Sequence, residues 1–239
     1  MKRKISLIAS ILLIIICMAG CQSKSGTKKE DVTSTPEQTA LSEENSSEES
    51  ESTVEESEKE NTNKKSSESA NPEDVFNCDI IDDKEIVIDG YDARDQYEIV
   101  VIPPVIDGLP VVGIINAFSQ EYTIKEVIIP DSVKTIGESS FSGCTSLQKV
   151  TIGKGVETIE KEAFFDCESL TEINFPEGLI TIGETAFGLC KSLSSIEFPS
   201  SLTKIEPNSF LDGKTVITAP AGSAAEKYAT ENKIEFISK

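Results

Sequence analysis

One spacing constrains this chain more than any other feature: Ile136, Ile159, Ile182 and Ile205 recur every 23 residues, in step with Phe141, Phe164, Phe187 and Phe210. The same step carries Cys144 to Cys167 to Cys190 and Leu147 to Leu170 to Leu193. It also carries Val133, Val156, Leu179 and Leu202, the series Val150, Ile173 and Ile196, and the series Ile129, Ile152, Phe175 and Phe198. A unit this short cannot bury its apolar face alone. Neighbouring units must therefore stack into a solenoid with one continuous core and an extended surface. Such a surface suits binding better than catalysis.

Within a unit, the run Leu147-Gln148-Lys149-Val150-Thr151-Ile152 alternates with period two. This predicts a strand with Val150 and Ile152 inward and Thr151 in solvent. The run repeats at Leu170 to Phe175 and at Leu193 to Phe198, so the strands are expected to stack in parallel, about 4.8 Å apart. Pro130, Gly153, Pro176 and Pro199 mark a corner after each strand. Gly137 to Phe141, Glu160 to Phe164 and Gly183 to Phe187 read as single helical turns anchored by phenylalanine.

Residues Ile182 to Ile196, reading Ile-Gly-x-x-Ala-Phe-x-x-Cys-x-x-Leu-x-x-Ile, resemble the BspA-like class of bacterial leucine-rich repeats. The resemblance extends from about Glu85 to Ile237. It implies an α/β solenoid, a short leucine-rich repeat right-handed superhelix with parallel strands, preceded by a disordered stalk. The entry segment Ile102-Pro103 with Ile106 to Val111 resembles the first unit of that class. Gly113 stands where later units carry isoleucine, so Ile114 is expected to fill the place through a one-residue shift.

An open solenoid end exposes core and strand edges, so both ends need caps. Phe76, Cys78 and Ile80 alternate, and Ile86 to Ile88 follow Asp82-Asp83-Lys84, which fits a capping hairpin. At the other end Ser223-Ala224-Ala225-Glu226 has the form of a capping box for a helix through about Glu231, with a closing strand over Ile234 to Ile237. Pro207 and Gly213 replace the usual residues of the last full unit, as terminal repeats do.

Lys2, Arg3 and Lys4 precede an apolar run from Ile5 to Ile16, and Met18-Ala19-Gly20-Cys21 follows. The run is short for a membrane span and has the form of a secretion signal. Met18 to Cys21 resembles the lipobox of bacterial lipoproteins, which implies cleavage before Cys21, lipidation of that residue and a membrane anchor through the lipid. From Gln22 to about Asp74 the chain is rich in Ser, Thr, Glu, Lys and Asn, a composition that cannot offset the entropy of ordering. The expected organisation is a lipoprotein signal peptide at 1–20, the lipidated cysteine and acidic linker at 21–75, and an N-terminal cap at 76–101. Repeats of about five units then occupy 102–217, and a C-terminal cap 218–239.

The formal net charge of −20 argues against nucleic-acid partners and against a direct electrostatic grip on anionic lipid. The chain has no histidine and no tryptophan, so the commonest general base and metal ligand are missing. It carries no Gly-rich phosphate loop, nucleophile elbow or calcium loop. No cofactor, no metal and no catalytic residue are assigned. Cys144, Cys167 and Cys190 point in parallel in a stack, which suits a buried core slot better than a disulfide or zinc. Gly213 is expected to take that slot in the last unit. Asp89, Asp92 and Asp95 around Gly90-Tyr91 could hold calcium, but their spacing reads better as a solvated turn.

A partner would meet the outward strand positions Lys125, Glu126, Ile128, Gln148, Lys149, Thr151, Thr171, Glu172, Asn174, Ser194, Ser195 and Glu197. No aromatic lies among them. Phe165 and Leu211 replace the Ser142 and Gly188 of sister units and form either apolar points on the repeat edge or local packing. The reading that results is a lipid-anchored repeat protein at the extracellular face of a bacterial membrane, binding an extracellular protein or surface glycan without covalent chemistry. The resemblance implies adhesion. An envelope protein binding wall polymer or a same-cell partner is the alternative, and a carboxylate-dependent hydrolase is a third.

Overall fold

The computed structural model describes residues 69–211 and 214–239; the expected signal, Cys21, nearly all of the linker and Gly213 lie outside them. An N-terminal hairpin opens the fold, β1 (Phe76–Ile81) antiparallel to β2 (Glu85–Tyr91). Asp82 and Asp83 form its turn with φ of 50° and 56°, a region that aspartate tolerates better than most residues. Then come β3 (Ile99–Val101), β4 (Val105–Ile106) and β5 (Leu109–Ile114).

From there each coil contributes two short strands. One series is β6 (Glu126–Ile128), β8 (Lys149–Thr151), β10 (Glu172–Asn174) and β12 (Ser195–Glu197). The other is β7 (Thr135–Ile136), β9 (Thr158–Ile159), β11 (Thr181–Ile182) and β13 (Lys204–Ile205). β14 (Val216–Ala219), α1 (Ala224–Asn232) and β15 (Phe236–Ser238) close the chain. One sheet runs β1-β2-β5-β7-β9-β11-β13, parallel from β2 onward, with β4 joined to β5. A second runs β10-β8-β6-β3, and a third β12-β14-β15.

The ladders read from the sequence are the core. Val133, Ile136, Phe141, Cys144, Leu147 and Val150 are buried, as are their equivalents in the next coils, with Ile173 and Ile205 only partly so. Ile114 pairs with Ile136, the one-residue shift expected of the first unit. The phenylalanines form a column: Phe118, Phe141, Phe164, Phe187 and Phe210 lie with centroids 5.0, 5.2, 5.3 and 5.1 Å apart and planes within 8° of parallel. Phe76 and Tyr91 cover its first ring, and Tyr228 of α1 meets its last at 73°.

The stretches read as helical turns are not helical. In Glu138 to Gly143 the amides alternate: Ser140 and Ser142 donate within the coil to Gly137 and Ser139, whereas Ser139, Phe141 and Gly143 donate to Lys161, Ala163 and Phe165 of the next coil. Reaching a neighbour with every second amide requires the backbone to change hand. Asn116, Ser139, Glu162, Thr185 and Asn208 accordingly hold φ between 52° and 59°, and Gln120, Gly143, Asp166 and Leu189 repeat the device four residues later. Such positions favour Gly, Asn and Asp, and only some units place them there.

α1 begins as the capping box predicts. Ser223 Oγ accepts from the Glu226 N–H at 3.3 Å, and the Glu226 carboxylate accepts from Gly222, one residue before the cap. The helix extends to Asn232, and Lys233 ends it with φ of 58°. Its Tyr228 does more than pack. The Phe210 N–H, whose counterparts donate to a carbonyl of the following coil, donates to Tyr228 Oη at 3.2 Å. A side-chain oxygen stands in for the coil that is not there.

Phe164→Ala should therefore cost about 3–5 kcal/mol by opening a cavity in mid-column. Tyr228→Phe, which keeps the ring and removes the acceptor, should cost about 1–2 kcal/mol. Chemical denaturation of each variant checks both, and a neutral Tyr228→Phe would mean that the ring alone caps the stack.

Candidate functional site

The outward strand residues named from the sequence lie in one row along β6, β8, β10 and β12 and the residues just before them. Most are committed within the molecule. Lys125 pairs with Glu98 at 2.8 Å, Lys149 lies 3.4 Å from Glu126 and 3.8 Å from Glu172, and Glu197 pairs with Lys239 at 2.6 Å. Each pair joins one coil to another. Exposed pairs of this kind contribute only about 0–1 kcal/mol apiece, yet together they neutralise the row. Thr171 Oγ1 donates to the Gln148 carbonyl at 3.2 Å, and Asn174 turns its amide back onto Ile152, accepting from its N–H at 3.3 Å. Side chains left uncommitted are Gln148, Thr151, Ser194 and Ser195, none of which has an intramolecular hydrogen bond among the described residues.

The row is also broken, where uniform stacking was expected. No hydrogen-bonded pairing joins β10 to β12. Gln148 and Lys149 donate to Lys125, and Thr171 and Glu172 donate to Gln148, but Ser194 and Ser195 make no equivalent bond to Thr171. The change falls where phenylalanine replaces isoleucine at the strand exit. Phe175 packs edge-on to Phe187 at 5.7 Å and tilted against Phe198 at 5.0 Å, and Ile173 is only half-buried. The seam is not a slot for an added strand, since Phe164 and Phe187 hold the flanking coils 5.3 Å apart, the spacing of one strand. Among the described residues this leaves the Ser194 and Ser195 amides, at the centre of the row, without the inter-coil acceptor that their counterparts have. Peptides spanning 193–197 should therefore exchange amide hydrogen about tenfold faster than those spanning 147–151. Equal protection would mean that the ladder is continuous.

The cysteines occupy the core slot, and they also do something the spacing did not show. Cys144, Cys167 and Cys190 donate their thiols to the carbonyls of Phe118, Phe141 and Phe164, one coil back, at 3.0, 3.2 and 3.2 Å. Burial pushes the Cys144 thiol up to about 12, and the Cys167 thiol well above its usual range. These are structural donors, not nucleophiles. Asp89, Asp92 and Asp95 do not converge, and among the described residues no group of three or more acidic or cysteine side chains is placed to hold a metal ion. Asp92 instead accepts from Asn77 Nδ2 at 2.9 Å.

Phe165 packs locally, its ring lying over Gly188, where a Cβ would approach it to 3.0 Å. Leu211 is exposed. Tyr122, which the sequence reading did not single out, is 56% exposed and lines a shallow groove with Gln120, Gly143, Phe165 and Asp166.

At the junction of hairpin and coils, Glu121 is 2% exposed and its Oε1 lies 3.2 Å from Arg94 Nε. Burial raises its carboxyl above the usual range, Arg94 opposes this, and Asp95 adds to it. Tyr91 Oη and Thr123 Oγ1 are buried without a hydrogen-bond partner among the described residues. A carboxyl raised in the folded state penalises folding at pH values above its folded pKa, and the penalty fades as pH falls into the ordinary carboxylate range. Wild type should therefore gain stability relative to Glu121→Gln as pH falls from neutral toward the ordinary carboxylate range, as urea denaturation at each pH would measure. An unchanged difference would mean that the Arg94 pair fully offsets the burial.

The regular coils match the model of the BspA type leucine rich repeat region in six copies over residues 115–222. A leucine-rich repeat protein of T. pallidum is 33% identical over 63% of this chain and 71% of its own length, with a TM-score of 0.60. The chain belongs to the BspA-type leucine-rich repeat family. A leucine-rich repeat protein from Bacteroides ovatus is 26% identical with a TM-score of 0.55, and this chain spans 40% of it. No curated protein matches the sequence.

Proposed function

We infer that this BspA-type repeat protein is a non-catalytic binding scaffold, held by a lipid on Cys21 at the extracellular face of a bacterial membrane and adhering to an extracellular protein. The observation that carries the reading is the row itself. Gln148, Thr151, Ser194 and Ser195 offer uncommitted side-chain donors and acceptors on β8 and β12 and just before them, over a core whose coils are locked in register. Rigid presentation reduces the ordering cost of binding. The Lys and Glu side chains of the row serve stacking first, so they set its electrostatic neutrality and not its specificity. Met18-Ala19-Gly20-Cys21, resembling a lipobox, supports the anchor.

The test presents cells displaying the protein to a panel of host extracellular proteins beside purified wall glycans. Substituting Gln148, Thr151, Ser194 and Ser195 together by alanine should weaken capture at least about tenfold, a loss of roughly 1.4 kcal/mol. Cys21→Ser should release the protein from the membrane fraction. Full binding by the quadruple variant would remove the strand row as the recognition surface, and membrane retention of Cys21→Ser would remove the lipid anchor. Capture by wall glycans alone would move the reading to an envelope role.

A further inference from the structure

Of the four tyrosines in the chain, three have a packing role and one does not. Tyr91 and Tyr228 are buried against the two ends of the phenylalanine column, and Tyr97 packs, partly buried, on the core. Tyr122 is 56% exposed. The 23-residue step puts Thr145, Glu168 and Lys191 at its place in the following coils, so this is a solvent position and a ring there adds nothing to the core. A lone exposed ring is ordinary. This one forms the wall of a groove into which polar groups converge, the arrangement of a small-ligand site.

The groove spans three coils. Gln120, Gly143 and Asp166 hold the same place in successive coils, each with a left-handed backbone, φ of 61°, 75° and 59°. Their amides donate to the Ser142, Phe165 and Gly188 carbonyls of the next coil at 2.8, 2.7 and 2.8 Å, and the phenylalanine column sets these coils 5.0 and 5.2 Å apart. The framework is therefore fixed. In the middle coil Gly143 has no side chain, and Gln120 uses the gap: a Cβ on Gly143 would stand 3.3 Å from Gln120 Cγ. Tyr122 lines the groove from the first coil, Thr145 from the second, and Asp166 with Phe165 from the third. Its volume is about 230 Å³, below the roughly 300–1,000 Å³ of sites for drug-sized ligands and suited to one six-membered sugar ring.

The chemistry of the lining selects the occupant. Among the described residues, none of the side chains of Gln120, Tyr122, Thr145 and Asp166 makes a hydrogen bond within the molecule. A tyrosine ring presents a face of negative potential to C–H groups. The glutamine amide and the threonine hydroxyl both donate and accept, and the aspartate carboxylate accepts. A neutral pyranose has the matching surface, an apolar C–H face bordered by hydroxyls. An anion would meet Asp166 in a groove lined by no cationic side chain. An added peptide strand would find the groove amides already bonded between coils. We propose that this groove is a subsite for one neutral pyranose of a surface glycan, stacked on Tyr122 and hydrogen-bonded through its hydroxyls to Gln120, Thr145 and Asp166. None of these residues belongs to the strand row, so the site does not depend on what that row binds.

The probes are the methyl glycosides of glucose, galactose, mannose and N-acetylglucosamine, titrated against the intact protein by saturation-transfer NMR. At least one should bind with a millimolar Kd, the range open to a single small ring in a shallow site. It should also change the tyrosine emission, which no tryptophan masks. Tyr122→Ala should weaken that binding at least about tenfold, and Tyr122→Phe, which keeps the ring, by less than about twofold. Asp166→Asn, which keeps a residue that tolerates the left-handed backbone, should weaken it about tenfold. Each variant should retain the wild-type melting temperature. Purified wall fragments and N-glycans released from host glycoproteins then compete with the glycoside, and the pool that displaces it is the source of the ring. No binding by any of the four glycosides, full binding by Tyr122→Ala, or competition by neither pool would overturn the proposal. Tighter binding of tetramethylammonium would do the same, since Tyr122 and Asp166 would then hold a cation. So would loss of glycoside binding in the Gln148, Thr151, Ser194 and Ser195 quadruple variant, because the ring would then lie on the strand row.

Discussion

Everything in this molecule depends on the column of phenylalanines. Rings stacked about 5 Å apart and nearly parallel set the distance between coils, and that distance matches the spacing at which parallel strands share hydrogen bonds. An offset-stacked pair contributes about 0.5–1.5 kcal/mol beyond its burial, but its larger effect is register. With the ring of one coil placed, the isoleucine, cysteine and leucine ladders fall into line. A two-residue strand such as β9 can then pair on both sides, although it would have no stability alone.

A stack of coils leaves backbone groups that no neighbouring strand can reach, and side chains satisfy them. The cysteine thiols donate to the phenylalanine carbonyls of the coil before. Ser140 and Ser209 hydroxyls donate to the carbonyls of Ile114 and Gly183 from positions held by Ala163 and Ala186 in the intervening coils. Asn174 holds Ile152 where the strand ladder parts, and Tyr228 and Asn71 do the same at the two ends. Leaving a buried donor or acceptor unmade costs about 1–3 kcal/mol, which explains why small polar residues sit in an otherwise apolar ladder.

The period made the core legible because a stacked fold repeats its burial pattern with its sequence. The capping box and the shift at Ile114 were legible for a related reason, since both are local departures with a known geometric cause. What the sequence hid was set by hydrogen bonding between coils. Ser139, Glu162 and Thr185 give no hint of a left-handed backbone, so a run of alternating turns reads as a helical turn. Lys149 looks like a free cation on an outward position until Glu126 and Glu172 are seen on either side. The seam is foreshadowed only by the change from Ile152 to Phe175, a substitution that any periodic template counts as conservative.

The pairing of charges along the row bears on what recognition by this fold can use. Lys125, Lys149 and Lys239 each meet a glutamate of another coil, so the strand row is close to neutral in a chain of formal net charge −20. The negative excess is instead concentrated elsewhere, and the hairpin at the N-terminal end holds a dense share of it. The two surfaces therefore differ in their electrostatics. On the row, the partner proposed above has to match the positions of neutral donors and acceptors at coil spacing, and salt has little to screen. At the hairpin, five acidic side chains among residues 76–91 stand against Lys84 alone, so the repulsion among them follows ionic strength.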